Sequence, residues 1–262
     1  MSSYLTSASR TVRAQRGFTL VELLVTVAIA LFLIGGLLTV LQNVRSAYNN
    51  QQLLSQLQDQ QRFAMTVLAD VIQSGGYFPD PTQWQPTNSL PAAGNYAAGQ
   101  AFWGTHPGGT GTDTIGIRYR TALNDAVMLC DGTTNTTTGP SRLYVNTFSI
   151  VPAAGITPVQ LQCQLTDGNS GAVLDTAPLV SGVQNLAVYY GVKRNFAVND
   201  YNVDSYLTGD QMNAGNGDWG NISSVRVVLT FANPLYKGTA DQPQTIQFER
   251  VIEVMSRAGP HT

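Results

Sequence analysis

Residues 18–41 read FTLVELLVTVAIALFLIGGLLTVL, a run of 24 positions that is apolar almost throughout and broken by a single carboxylate, Glu22. A stretch of this length crosses a bilayer as a helix. An ionised side chain inside hydrocarbon costs about 3 kcal/mol on insertion scales and more in simulations, so Glu22 requires a partner. Upstream, residues 1–16 contain Arg10, Arg13 and Arg16 and no acidic residue. That bias keeps the N-terminus on the cytoplasmic side of a single-pass membrane helix. The small residue Gly17 precedes the apolar run instead of following it. Cleavage there removes the basic leader, residues 1–17, and retains the hydrophobic helix, the reverse of a secretory signal peptide. An uncleaved signal anchor with a glutamate near the interface is the plain alternative.

Gly17-Phe18-Thr19-Leu20-Val21-Glu22 closely resembles the class III leader of type IV pilins and of type II secretion pseudopilins. The resemblance implies cutting between Gly17 and Phe18 by a prepilin peptidase, then N-methylation of Phe18. It also places Glu22 fifth in the mature chain, where family members use it to contact the amine of a neighbouring subunit. The electrostatics agree: an α-amino group with a reference pKa of about 8 is mostly cationic at pH 7, and breaking a buried pair costs about 3–5 kcal/mol. Glu22 on this reading specifies assembly.

From Phe18 to about Ser74 the chain has no proline, and one helix on the order of 85 Å long is expected. Residues 18–41 form its membrane or filament-core half and residues 42–76 an amphipathic half. In the latter, Leu57, Ala64, Leu68 and Val71 share a stripe, and Gln56, Asp59, Gln60 and Arg62 lie elsewhere. Gly35-Gly36 is either a weak point, as the pilin resemblance implies, or a site of close helix packing. Gly75-Gly76 ends the helix by permitting a left-handed turn.

Residues 77–262 are expected to form one globular β-rich domain. Its first part, residues 77–112, reads as a long ordered loop punctuated by Pro79, Pro81, Pro86 and Pro91 and then by glycines. Aromatics such as Trp84, Tyr96 and Phe102 are expected to pin it to the domain, with exposure for subunit contact as the alternative. Beyond Asp113 the apolar period becomes two, as in Ile115, Ile117, Tyr119, in Leu186, Val188, Tyr190, and in Val225, Val227, Leu229, Phe231. Ile246, Phe248, Ile252 and Val254 mark a late strand. An antiparallel sheet laid on the amphipathic half-helix buries both apolar faces, which gives an α+β, pilin-like fold.

With the leader gone, 11 basic residues face 16 acidic ones, a net charge of −5. That balance does not fit a general nucleic-acid binder, and Arg118, Arg120 and Arg142 read as solvated strand residues rather than a basic patch. Cys130 and Cys163 are the only cysteines. In an oxidising compartment they form one disulfide, worth about 3–4 kcal/mol on the chain-entropy model.

Gly182-Val183-Gln184-Asn185-Leu186, Tyr190-Gly191-Val192, and Trp219-Gly220-Asn221-Ile222 leading into Val225-Arg226-Val227 resemble the PilW-type minor pilins, as does Gly75-Gly76-Tyr77-Phe78 after the helix. Membership implies a minor pilus subunit in a tip complex with major pilin, other minor pilins and a PilY-type adhesin, priming assembly and supporting adhesion or twitching motility. A minor pseudopilin of a type II secretion system is the rival.

Asp200, Asn202 and Asp204 place oxygen ligands at alternate positions, as calcium loops do. The EF-hand pattern needs Gly at 205 and Glu at 211, but Ser205 and Gln211 stand there, which favours a solvated loop and no metal. His106 and His261 are the only histidines. No HExxH, GxSxG or phosphate-loop motif accompanies them, so each reads as an ordinary surface histidine. No enzyme class and no cofactor is expected.

Overall fold

In the computed structural model, residues 17–108, 111–151, 159–195, 202–239 and 241–255 are described. The basic leader with Arg10, Arg13 and Arg16, and also Gly109, Asp200 and His261, lie outside them. Contacts divide the chain into two compact units, residues 1–52 and 53–262.

Helix α1 runs Leu20–Gln73. In the first unit every described side chain through Thr39 is exposed, and the most apolar 18-residue window has a mean hydropathy of 2.7 with none of it buried. The helix is long and apolar enough to cross a membrane. In the second unit the same helix becomes one-sided: Leu57, Ala64, Leu68 and Val71 are buried, and Gln56, Asp59 and Arg62 are exposed. The end follows from Gly76, whose φ of 81° is a conformation that glycine adopts without strain. The Gly76 N–H then donates to Arg118 O, and Arg120 N–H donates to Tyr77 O. The two residues after the turn thereby lie beside a strand.

Among the described residues nine strands follow, all paired antiparallel, in two sheets. Strands β1 (Phe102–Thr105), β2 (Thr114–Thr121), β3 (Arg142–Val151), β4 (Gln160–Asp167) and β5 (Val173–Ser181) form the first in sequential order. Strands β6 (Val183–Val192), β7 (Ser205–Thr208), β8 (Ile222–Ala232) and β9 (Thr245–Glu253) form the second in the order β7-β6-β8-β9. Among the described residues two short α-helices, α2 (Pro86–Ser89) and α3 (Gly209–Asn213), and a 3₁₀ turn at Trp219–Asn221 interrupt the loops. The predicted alternations hold: Ile115, Ile117, Tyr119, Leu186, Val188, Tyr190, Val225, Val227 and Leu229 are at most 1% exposed. Together with the buried stripe of α1 they form one core shared by both sheets. The α+β expectation of a helix packed on antiparallel sheet is met, with the strands divided between two sheets.

Two expectations about the stretch 77–112 change. It contains β1, whose Phe102 pairs with Ile117, because tertiary pairing outweighs the turn-forming tendency of Gly104. That glycine is required there: a Cβ would meet the Tyr190 hydroxyl at 2.0 Å and Thr114 O at 2.8 Å. The aromatics also do not act alike. Phe102 is core at 2% exposure, whereas Trp84 stands 53% exposed.

Candidate functional site

The candidate site is the start of α1. Thr19 precedes the first helical residue, and its Oγ1 accepts the Glu22 N–H at 3.3 Å. Threonine at the cap with glutamate three residues on is the spacing of a capping box, and it places the acid in the first turn, where the helix dipole favours negative charge. The Glu22 carboxylate itself makes no hydrogen bond or ion pair among the described residues. Around it Phe18, Leu20, Val21 and Leu23 are 57–74% exposed. The arrangement is thus a carboxylate on an apolar surface that no other described residue covers. The sequence located Glu22 from composition; the cap formed by Thr19 was legible in the same six residues and was missed. Gly17 and Phe18 lie just before the helix, outside any regular element, which leaves their peptide bond free of helical hydrogen bonding.

Cys130 and Cys163 are joined in a disulfide, tying the connection between β2 and β3 to β4. Buried asparagines reinforce that tie. Asn146 Oδ1 accepts the Cys130 N–H at 2.9 Å, and Asn135 donates to Thr121 O while accepting from the Tyr144 hydroxyl.

The loop weighed for calcium is occupied by its own backbone. Asp204 accepts N–H groups from Asn195 and Arg194, which hold its carboxyl below the usual carboxylate range. Positions 205 and 211 lie in β7 and in α3, where Gln211 closes a capping box with Thr208. Among the described residues no group of three or more His, Cys, Asp and Glu side chains converges.

His106, read as an ordinary surface histidine, is tied down by two aspartates. Its Nδ1 lies 2.7 Å from Asp113 Oδ1, and its backbone N–H donates to Asp210 Oδ1 at 2.9 Å. Asp113 also accepts the Val188 N–H at 2.8 Å. Burial raises the Asp113 pKa against the lowering effect of these bonds. His106 therefore fastens the β1–β2 connection to α3, and its partner Asp113 fastens it to β6.

The arginines depart furthest from expectation. Ile117 and Tyr119 point into the core, so Arg118 and Arg120 point to the opposite face of β2, beneath residues 89–101. Arg118 is only 1% exposed. Its guanidinium donates to the carbonyls of Leu90, Pro91, Ala97 and Gln100 and lies 4.6 Å from the Tyr96 ring centroid. Burial pulls its pKa down to about 10, which leaves it cationic at neutral pH. Arg120 holds Ser89 O and Ser141 O, and Arg142 binds Asp167 at 2.7 Å. For Arg118 and Arg120 the solvated-strand reading fails because backbone carbonyls, which no sequence pattern advertises, take the place of water.

The C-terminal segments picked out by sequence meet in space. The Tyr190 and Trp219 rings pack edge to face at 4.8 Å, and Asn221 donates to Lys193 O at 3.3 Å. Gly182, with φ 82°, makes the tight passage from β5 to β6. Residues 147–258, which include these segments, match the family model described as Type IV Pilus-assembly protein W, and residues 12–38 match that of the prokaryotic N-terminal methylation motif. No curated protein matches the chain. Among solved structures the chain is similar to a type IV-like pilin from Thermus thermophilus, at 11% identity and a TM-score of 0.41, over 77% of this chain and 96% of that one.

Proposed function

We propose that this chain, bearing a PilW-like domain of the type IV pilin superfamily behind an N-terminal methylation motif, is a minor pilus subunit that helps prime assembly within a tip complex. The observation that supports this reading is the Glu22 carboxylate, unpaired among the described residues, on an apolar helix surface that those residues leave bare. The subunit is held in the inner membrane with its N-terminus cytoplasmic. Prepilin peptidase cuts between Gly17 and Phe18, and the new amine is methylated. In the filament Glu22 neutralises the amine of a neighbouring subunit, and the exposed side chains of residues 18–41 pack against other α1 helices. The globular unit meets other minor pilins and a PilY-type adhesin, so that the subunit supports adhesion or twitching motility.

The test is mass spectrometry of the N-terminus of membrane-extracted protein. A mature chain starting at N-methylated Phe18 is expected, and an intact leader overturns the processing step on which the rest depends. Glu22→Ala should lower recovery in sheared filaments, and wild-type recovery would remove the charge contact. The same leader and helix serve pseudopilins. Recovery only with a type II secretion apparatus, and never in sheared surface filaments, would reassign the subunit to that machine.

A further inference from the structure

On the face of β2 opposite the core, a cavity of about 180 Å³ opens beside Arg120. Pro79, Trp84 and Pro140 form its apolar walls, and Asn88, Ser89 and Ser141 supply polar groups. It lies below the roughly 300–1,000 Å³ typical of pockets for drug-sized ligands, which leaves room for a single ring.

The Arg120 guanidinium is only partly engaged. Nε donates to Ser89 O at 3.0 Å and Nη1 to Ser141 O at 2.7 Å, while Nη2 has no hydrogen-bond partner among the described residues. Arg118, two residues earlier, spends its donors on four carbonyls. Among the described residues Arg120 makes no ion pair either. The carboxylate that acts on it, Asp167, is bound to Arg142 at 2.7 Å and to the N–H groups of Asn169 and Ser170. Burial lowers the Arg120 pKa, so an anion arriving at the open side is attracted by a charge the protein has only partly compensated. The Nη2 donors that remain can give charge-assisted N–H bonds to a carboxylate.

The remaining walls narrow the class. Trp84 is 53% exposed and offers a flat, rigid apolar surface at the cavity. Peptide capture by strand addition is closed off, because at Arg120 one edge of β2 is engaged by Tyr77 and the other by Leu143 of β3. Recognition must come from side chains, and an indole beside an amide, a hydroxyl and a guanidinium suits a ring bearing hydroxyls and one carboxylate.

We propose that this cavity binds a carboxylate-bearing sugar, with the carboxylate on the open side of the Arg120 guanidinium, the ring against the Trp84 indole, and its hydroxyls on Asn88 and Ser141. The inference concerns the globular unit alone and stands whether or not the assembly role holds.

The test titrates the full chain in detergent with D-glucuronate and with its uncharged amide, D-glucuronamide, following tryptophan fluorescence and ligand-observed NMR. Saturable binding of glucuronate, at least tenfold tighter than the amide, is expected. Arg120→Gln should lose that preference, and Trp84→Ala should weaken binding at least tenfold with an unchanged melting temperature. The second variant keeps the test decisive if Arg120→Gln fails to fold. Equal binding of acid and amide, no saturable binding, or undiminished binding by Trp84→Ala overturns the proposal. So does displacement of glucuronate by inorganic phosphate, or by a tripeptide with a free C-terminal carboxylate, at equal or lower concentration.

Discussion

The Arg118 guanidinium lies buried under residues 90–100 and makes no ion pair among the described residues; four carbonyl dipoles and the Tyr96 face stand in for a counter-charge. Removing it strands those carbonyls, each worth about 1–3 kcal/mol when buried without a donor. Arg118→Met is therefore expected to lose at least about 3 kcal/mol in chemical denaturation. Arg118→Lys should recover only part of this, because one ammonium cannot reproduce the guanidinium fork. Proteolysis within residues 89–101 should rise in both variants. Asp167 yields a pH prediction. Burial alone would raise its pKa, but the N–H groups of Ser170 and Asn169 and the Arg142 guanidinium hold it at about 2 against an ordinary 3.8. A folded value below the unfolded one stabilises the protein above pH 3.8, and that contribution disappears as the pH falls through about 2. Its size is about 2 kcal/mol. The melting temperature of the wild type should fall across this window, and that of Asp167→Asn should start lower and fall less.

Elements were legible where burial imposes a period. In α1 the change from apolar all round to one-sided marked the stretch that packs on the sheets, and Ile115, Ile117 and Tyr119 gave β2 by alternation. Strand β4 carried the same signal, Leu161, Cys163 and Leu165 between glutamines, and could have been read. Strand β5 could not: it is an edge strand, mostly exposed, with Pro178 inside it. The grip of β2 on the loop was hidden for a different reason, since two arginines at alternate positions look solvated until the carbonyls they bind are in place. At the candidate site Glu22 stood out by composition, whereas the C-terminal segments showed their reason only once Tyr190 met Trp219. Two predictions belong to this scale. Gly76→Ala forces a side chain into φ 81° and should cost about 1 kcal/mol by unfolding. Reducing the Cys130–Cys163 bond should cost about 3–4 kcal/mol, measurable as a lower denaturation midpoint in reductant.

For the molecule as a whole, the division after Gln52 separates two solubility problems. The first unit leaves its apolar surface bare, and the second encloses a core that already includes the Leu57–Ile72 face of α1. A chain restricted to residues 53–262 should stay in solution without detergent and keep the circular dichroism of a mixed helix and sheet protein, while the full chain partitions into detergent. Precipitation or loss of the spectrum would show that the second unit relies on the first. The disulfide has a further effect when the chain is put under tension. It bridges 33 positions along the sequence, with Cα atoms 5.9 Å apart. At 3.3–3.6 Å of reach per residue, about 110 Å of contour is withheld from any stretched molecule. A subunit pulled until it yields would stop short by that length, with the segment from β3 into β4 still closed on itself, and only a reductant would release the rest.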